Sequence, residues 1–173
     1  GAARFQEGVA VSERPTWPDY FMTLAHATAA RMSCDRAKVG AVLVDPHNQI
    51  ISTGYGGAPR GVDICDDVDH ILEHGHCVRT VHAEHNCVLQ AARRGVATDG
   101  STIYTTHYPC FDCCKVLIQA GVQTVIYEIP YRVEDIRNLR AKRWLDECGV
   151  DLFSIEEAIK LAEKERARHE EEG

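Results

Sequence analysis

No stretch of this 173-residue chain approaches the roughly 18 consecutive apolar residues that a membrane-spanning helix needs. Membrane spanning is therefore not expected. Positive charge is also short. There are 19 Lys and Arg against 26 Asp and Glu, a formal net charge of −7. That balance argues against a broad surface tracking a nucleic-acid backbone, and no nucleic-acid partner is expected. It leaves room for a local basic pocket. No internal repeat and no linker-like stretch appears, so one domain is expected at this length. No export signal is visible at the start (Gly1-Ala2-Ala3-Arg4), which points to a cytoplasmic location. In that setting the 8 cysteines are better explained by metal than by disulfides. With 45% hydrophobic residues the chain can build a core without cross-links.

Residues 1–16 lack periodicity and read as a mobile arm, followed by a domain over 17–173 that ends in a helix. Apolar groups at helical spacing predict a helix from Trp17 to Met32. Val39 to Val44 and Ile50 to Tyr55 read as strands of a hairpin around Asp45-Pro46-His47-Asn48. A glycine-rich loop (54–61) and a segment rich in Asp, His and Cys (65–77) follow. Helices are expected over 81–94, 113–119, 133–148 and 155–172, and strands over 102–106, 122–127 and 151–153. That order predicts a three-layer α/β/α sandwich around a mixed sheet.

The chemistry concentrates in two short stretches. Val81-His82-Ala83-Glu84 is followed, after 24 residues, by Pro109-Cys110-Phe111-Asp112-Cys113. His82, Cys110 and Cys113 are soft metal ligands, and Glu84 is a carboxylate free to do other work. Three protein ligands leave a tetrahedral zinc one position for water, the arrangement of a catalytic site. Cys110 and Cys113 stand i, i+3 at a helix start, where the partial positive charge favours thiolates. A lone Cys-x-x-Cys could equally be a redox pair or half of a structural zinc site. The His-x-Glu and the proline before Cys110 tip the balance.

This pattern marks the zinc-dependent nucleobase deaminases. The chain resembles the deoxycytidylate (dCMP) deaminase family, through Lys38-Val-Gly-Ala-Val42, Gly54-Tyr-Gly-Gly-Ala-Pro59, Gly75-His-Cys-Val-Arg-Thr-Val-His-Ala-Glu84 and Tyr108-Pro-Cys-Phe-Asp-Cys-Cys114. The resemblance covers roughly residues 18–155. It implies a five-stranded cytidine deaminase-like sheet, a catalytic zinc, and conversion of dCMP to dUMP with release of ammonia, feeding thymidylate synthesis. Glu84 would be the catalytic residue, serving as both base and acid. The resemblance also implies a homohexamer, activated by dCTP with Mg2+ and inhibited by dTTP.

One departure stands out. The family reads Gly-Tyr-Asn-Gly where this chain has Gly54-Tyr55-Gly56-Gly57, which puts effector control or sugar recognition at Gly56 in question. His85 also differs from the small or apolar residues usual there. Relatives of this kind hold a second, structural zinc with cysteines at positions matching Cys34 and Cys65. A closed site of Cys34, Cys65, His70 and Cys77 is therefore expected, with His76 as the alternative histidine. Free buried thiols with solvated histidines are the competing reading.

For the nucleotide, Asn86, Arg60, His107, Tyr108 and Tyr131 are candidate substrate contacts. Arg93 is a candidate for allosteric control. Each of these also has an ordinary structural explanation. Two other functions stay open. One is deamination of another base, nucleoside or nucleotide, including adenosine in tRNA. The other is a late-competence-type role in DNA uptake without catalysis, against which an intact Glu84 argues.

Overall fold

The computed structural model describes residues 14–132 and 134–172. The expectation of an arm therefore falls largely on residues outside the described ones. The elements, in order, are α1 (Trp17–Ala29), β1 (Gly40–Val44), β2 (Ile50–Tyr55), β3 (Leu72–Glu73), β4 (His76–Cys77), α2 (Ala83–Arg94), β5 (Thr102–His107), α3 (Phe111–Gln119), β6 (Thr124–Ile129), α4 (Ile136–Glu147), β7 (Asp151–Ser154) and α5 (Ile155–Glu171). The main sheet has the order β2-β1-β5-β6-β7. β1 is antiparallel to both β2 and β5, whereas β5, β6 and β7 run parallel. The sheet is mixed, as expected.

Strand side chains alternate between faces, and the core divides accordingly. Ala41, Leu43, Ile103 and Val125 pack on one face against Ala83 and Cys87 of α2, Leu117 of α3 and Leu145 of α4. Val42, Val44, Tyr104 and Ile126 pack on the other against Phe21 and Ala25 of α1 and Ile155 of α5. The result is the expected three-layer sandwich. Gly40 lets β1 touch α1, since a Cβ there would lie 2.2 Å from Ala25 O. Gly54 does the same for β2 and α2, with Ala83 O at 2.2 Å.

Several element ends differ from the sequence-based expectation, for local reasons. α1 stops at Ala29, because Arg31 and Met32 turn back onto Thr28 O and Ala29 O instead of extending the helix. His82 is not in the first turn of α2 but caps it, with extended backbone at φ −67° and ψ 154°. Cys110 caps α3 in the same way, so that helix begins at Phe111 rather than Cys113. β6 runs two residues later than expected, because Gly121 takes a positive φ of 75° and Gln123 N bonds Ser101 O first. α4 starts at Ile136, where the Asp135 side chain accepts from Arg137 N. The small β3–β4 ribbon was not foreseen. His74 and Gly75 form its two-residue turn with positive φ at both positions (48° and 78°), the geometry that tight hairpins favour.

Candidate active site and metal centres

Both capping residues point ligand atoms into one place. The His82 Nδ1 lies 3.3 Å from the Cys113 sulfur and 3.5 Å from the Cys110 sulfur, and the two sulfurs are 3.5 Å apart. Ligands around a tetrahedral zinc, with bonds near 2.0–2.3 Å, stand about 3.5–3.8 Å from one another. The donor set and its spacing therefore fit zinc. The three groups share their protons unevenly. The hydrogen bond with Cys113, together with His82, draws the Cys110 thiol down to about 4. Cys110 in turn lifts His82 to about 9. The thiolate form favoured at Cys110 is the one a metal ligand requires.

Glu84, in the first turn of α2, is 3% exposed, and its Oε2 lies 3.5 Å from the Cys113 sulfur. Burial pushes its carboxyl up from the ordinary range. Glu84 is thus a buried carboxyl beside the ligands, with its proton affinity raised.

A second cluster brings Cys34, Cys65, His70 and Cys77 together, with one ligand atom from each within 4.8 Å of the others. Cys34 Sγ is 3.7 Å from His70 Nδ1, and the Cys65 and Cys77 sulfurs are 3.6 Å apart. The other ring nitrogen of His70 meets Asp35 Oδ1 at 3.0 Å, as a carboxylate commonly orients a metal-bound imidazole. Four soft donors with no open position match a closed, structural site. His76, the alternative histidine, is not in the cluster. Its Nε2 faces Arg132 Nη1 at 3.1 Å.

Between the two clusters lies a cavity of about 300 Å³. His82, Glu84 and Cys110 form one wall, and Cys34 and Cys77 form part of another. The carboxyl end of β5 contributes His107, and the loops that follow the parallel strands β5 and β6 contribute Tyr108, Tyr131 and Arg132. Ligand sites in α/β folds commonly open at such carboxyl ends.

The family model for the cytidine and deoxycytidylate deaminase zinc-binding region matches residues 15–129. The chain belongs to this deaminase family. Its relatives include ComE operon protein 2 of Bacillus subtilis, 41% identical over 144 residues, a match covering 83% of this chain and 74% of that protein. The deoxycytidylate deaminase of Mycobacterium phage D29 is 36% identical over 126 residues, covering 66% of this chain and 95% of the phage protein. Among solved structures, the dCMP deaminase of cyanophage S-TIM5 in complex with dCMP and dUMP superposes with a TM-score of 0.66 at 32% identity, covering 79% of this chain and 94% of that one.

In this deaminase the cavity gathers some of the expected nucleotide contacts and not others. Gly56, His107, Tyr108 and Tyr131 line it. Arg60, Asn86 and Arg93 do not. Arg60 is exposed on the glycine-rich loop. Asn86 spends its amide on Tyr55 O at 2.8 Å and Val81 O at 3.4 Å. Arg93 sits in the last turn of α2, about 16 Å along the helix from His82 at 1.5 Å per residue.

Sequence reasoning missed Arg36 and Arg132, the cations that do line the cavity. Both converge on the β3–β4 turn: Arg36 donates to Gly75 O at 2.7 Å, and Arg132 meets His76. Arg36 had one available signal, its position two residues after Cys34, a member of the expected second cluster. Arg132 had none, because it is brought in by a left-handed backbone (φ 46°) that no motif announces.

Proposed function

We propose that this deaminase hydrolyses dCMP: dCMP and water give dUMP and ammonia. The observation that carries the reading is Glu84, buried against the His82–Cys110–Cys113 cluster at a cavity that also presents Arg36 and Arg132. A pyrimidine amine fits the first group and a monophosphate the second. The dCMP and dUMP held by the cyanophage relative favour the same substrate.

Zinc, when bound, would be held by His82, Cys110 and Cys113 and would supply a Lewis acid that acidifies water near neutral pH. Glu84 takes a proton from the attacking water and gives one to the ring nitrogen beside the amine-bearing carbon, which opens that carbon to attack. It then takes the proton of the newly added hydroxyl, which becomes the product carbonyl, and passes it to the amine as the C–N bond breaks, so that ammonia leaves. A carboxyl whose proton affinity is raised by burial suits a group that must give its proton back. His107 and Tyr108 border the ring. Arg36 and Arg132 hold the phosphate by charge-assisted hydrogen bonds.

The finer expectations belong to the same reading: supply of dUMP for thymidylate synthesis, a second zinc on Cys34, Cys65, His70 and Cys77, control by dCTP with Mg2+ and by dTTP, and a homohexamer. The ComE operon relative leaves a DNA-uptake role as the second reading. An intact Glu84 beside three ligands favours catalysis over it. Ammonia release from a panel of dCMP, dCTP, deoxycytidine and CMP, with and without dCTP–Mg2+ and dTTP, decides between them. Turnover of dCMP above the others supports the proposal. No turnover of any of them by zinc-loaded protein overturns it.

A further inference from the structure

A side chain at position 56 and the thioether of Met32 compete for one space. A Cβ on Gly56 would meet Met32 Cε at 2.7 Å, Sδ at 3.0 Å and Cγ at 3.6 Å, and those three Met32 atoms are the nearest it meets. Gly56 has no left-handed φ, unlike Gly61 or Gly75, so its backbone does not demand glycine. What the missing side chain provides is room for Met32. Val39 fixes both partners: its N donates to Met32 Sδ at 3.3 Å, and its O accepts from Gly56 N at 3.2 Å. Met32, Val39 and Gly56 all line the cavity.

The position of this pair along the cavity follows from its neighbours. Gly57 exchanges two backbone hydrogen bonds with Val81, the residue before His82, at 3.2 and 2.8 Å. In the other direction the chain runs from Met32 through Cys34 to Arg36, at the cationic end. Through its chain neighbours the Met32–Gly56 wall is thus tied both to the metal cluster and to the cations that line the same cavity. In a nucleoside monophosphate with its reacting carbon at the metal and its phosphate at the arginines, the sugar spans the stretch between.

We propose that Met32, admitted by Gly56, is the residue that makes this pocket select 2′-deoxyribose over ribose. The proposal rests on the nucleotide reading above and assigns the sugar to one side chain. A thioether is at best a weak acceptor and donates nothing. A 2′-hydroxyl pressed against it loses water and finds no partner, whereas the 2′-methylene of a deoxyribose loses nothing. The asparagine that the resemblance led us to expect at 56 would present a polar amide here instead. Met32 and Gly56 together exchange that polar wall for an apolar one. An apolar wall rejects an added hydroxyl by about 100-fold at most, so discrimination of that order is the ceiling for this device.

The test uses the zinc-loaded full chain as wild type, Met32→Ala, Gly56→Ala and the double variant. Two quantities are read: kcat/KM on dCMP and CMP, and calorimetric binding of the products dUMP and UMP, which needs no turnover. Met32→Ala is expected to lower the deoxy-over-ribo preference about tenfold in both readouts. Gly56→Ala is expected to push the Met32 tail into the cavity and weaken both sugars severalfold, and the double variant to recover that loss. An unchanged sugar preference in a folded Met32→Ala protein overturns the proposal, as does a Gly56→Ala defect that persists in the double variant. If the wild type releases no ammonia yet binds dUMP over UMP through Met32, the deaminase reading falls and this assignment stands. If it deaminates dCMP and Met32→Ala changes neither ratio, the reverse holds.

Discussion

Glu84 Oε2 lies 3.5 Å from Cys113 Sγ, against the ligand cluster but not one of its members. Metal retention and proton transfer are therefore separable. Glu84→Gln keeps the side-chain volume and removes the titrating group. Zinc content by mass spectrometry should equal that of the wild type, while ammonia release from dCMP falls by about 100- to 10,000-fold. Loss of zinc along with activity would place Glu84 among the ligands instead.

Arg36 donates to Gly75 O and Arg132 meets His76, so both cations of the cavity sit at the β3–β4 ribbon. Alanine at either should raise KM for dCMP by about tenfold or more, the usual effect of losing a hydrogen bond to a charged group. Deoxycytidine, which has no phosphate, should be little affected. Arg60→Ala, outside the cavity, should leave the ratio of the two substrates unchanged. Steady-state kinetics on both substrates checks this, and equal losses for the two would reject a phosphate role.

The second cluster ties four separate pieces of chain: the segment after α1, the loop carrying Cys65, His70, and Cys77 on β4. Within it, burial and the bonds to Cys77 and Cys34 push the Cys65 thiol up to about 12. For Cys77, burial is outweighed by bonds from the Arg79 amide, His70 and Cys65, which hold it near 7. Cys77→Ser should remove one of two zinc ions per chain and lower the thermal midpoint, since metal bound only by the folded chain adds directly to stability. Because Cys34 and Cys77 also line the cavity, KM for dCMP should rise in the same variant. A wild type carrying a single zinc would rule out this site.

Asn138 is buried in α4 and donates to Tyr131 O at 3.1 Å and Arg132 O at 2.9 Å. It thereby pins the loop in which Arg132 takes its left-handed φ. Asn138→Ala leaves both carbonyls without their donor, at a cost of about 1–3 kcal/mol in urea unfolding. It should also raise KM for dCMP more than it lowers kcat, because Arg132 is released while Glu84 is not. A variant with altered stability and unchanged KM would separate the pin from the nucleotide.

Ser154 and Glu157 form a reciprocal cap at the start of α5. The bonds from the Ser154 backbone and hydroxyl hold the Glu157 carboxyl below its ordinary 4.5. A lowered folded value means the cap's contribution is complete above the unfolded value. It is lost as pH falls from about 4.5 through the lower folded one. Glu157→Ala should therefore cost about 0.5–1 kcal/mol at pH 7, and less than that near pH 3. Paired thermal melts across that range check the sign, and a cost that grows toward acid would contradict it.

The cluster and its neighbouring carboxyl were legible because their spacing carries the chemistry: His82, Cys110 and Cys113, with Glu84 beside them, needed only the chain to be read. The layers were legible because Val39–Val44 is an apolar run and Thr102–Thr106 a β-branched and aromatic one, both of strand length. What escaped depends on atoms far apart in sequence. The convergence of Arg36 and Arg132 depends on a turn at His74-Gly75, and that turn lies in a segment that reads as a loop rich in ligands. His70, expected ahead of His76, does stand in the second cluster; in the ribbon register His76 pairs with Glu73, while His70 precedes the ribbon. The motif boundaries slipped because His82 and Cys110 serve as caps, with extended backbone that apolar periodicity does not register.

Two glycines separated by one tyrosine have opposite prospects under mutation. At Gly54 the obstacle is backbone, the Ala83 carbonyl and the Cys87 amide of the helix that carries Glu84. Any side chain there must lift α2 off the sheet. At Gly56 the obstacle is the free end of one methionine. The pocket's chemistry can therefore drift at 56, provided 32 drifts with it, while position 54 stays closed to change. New specificities on this scaffold have an open route through that pair, and none through its neighbour two residues back.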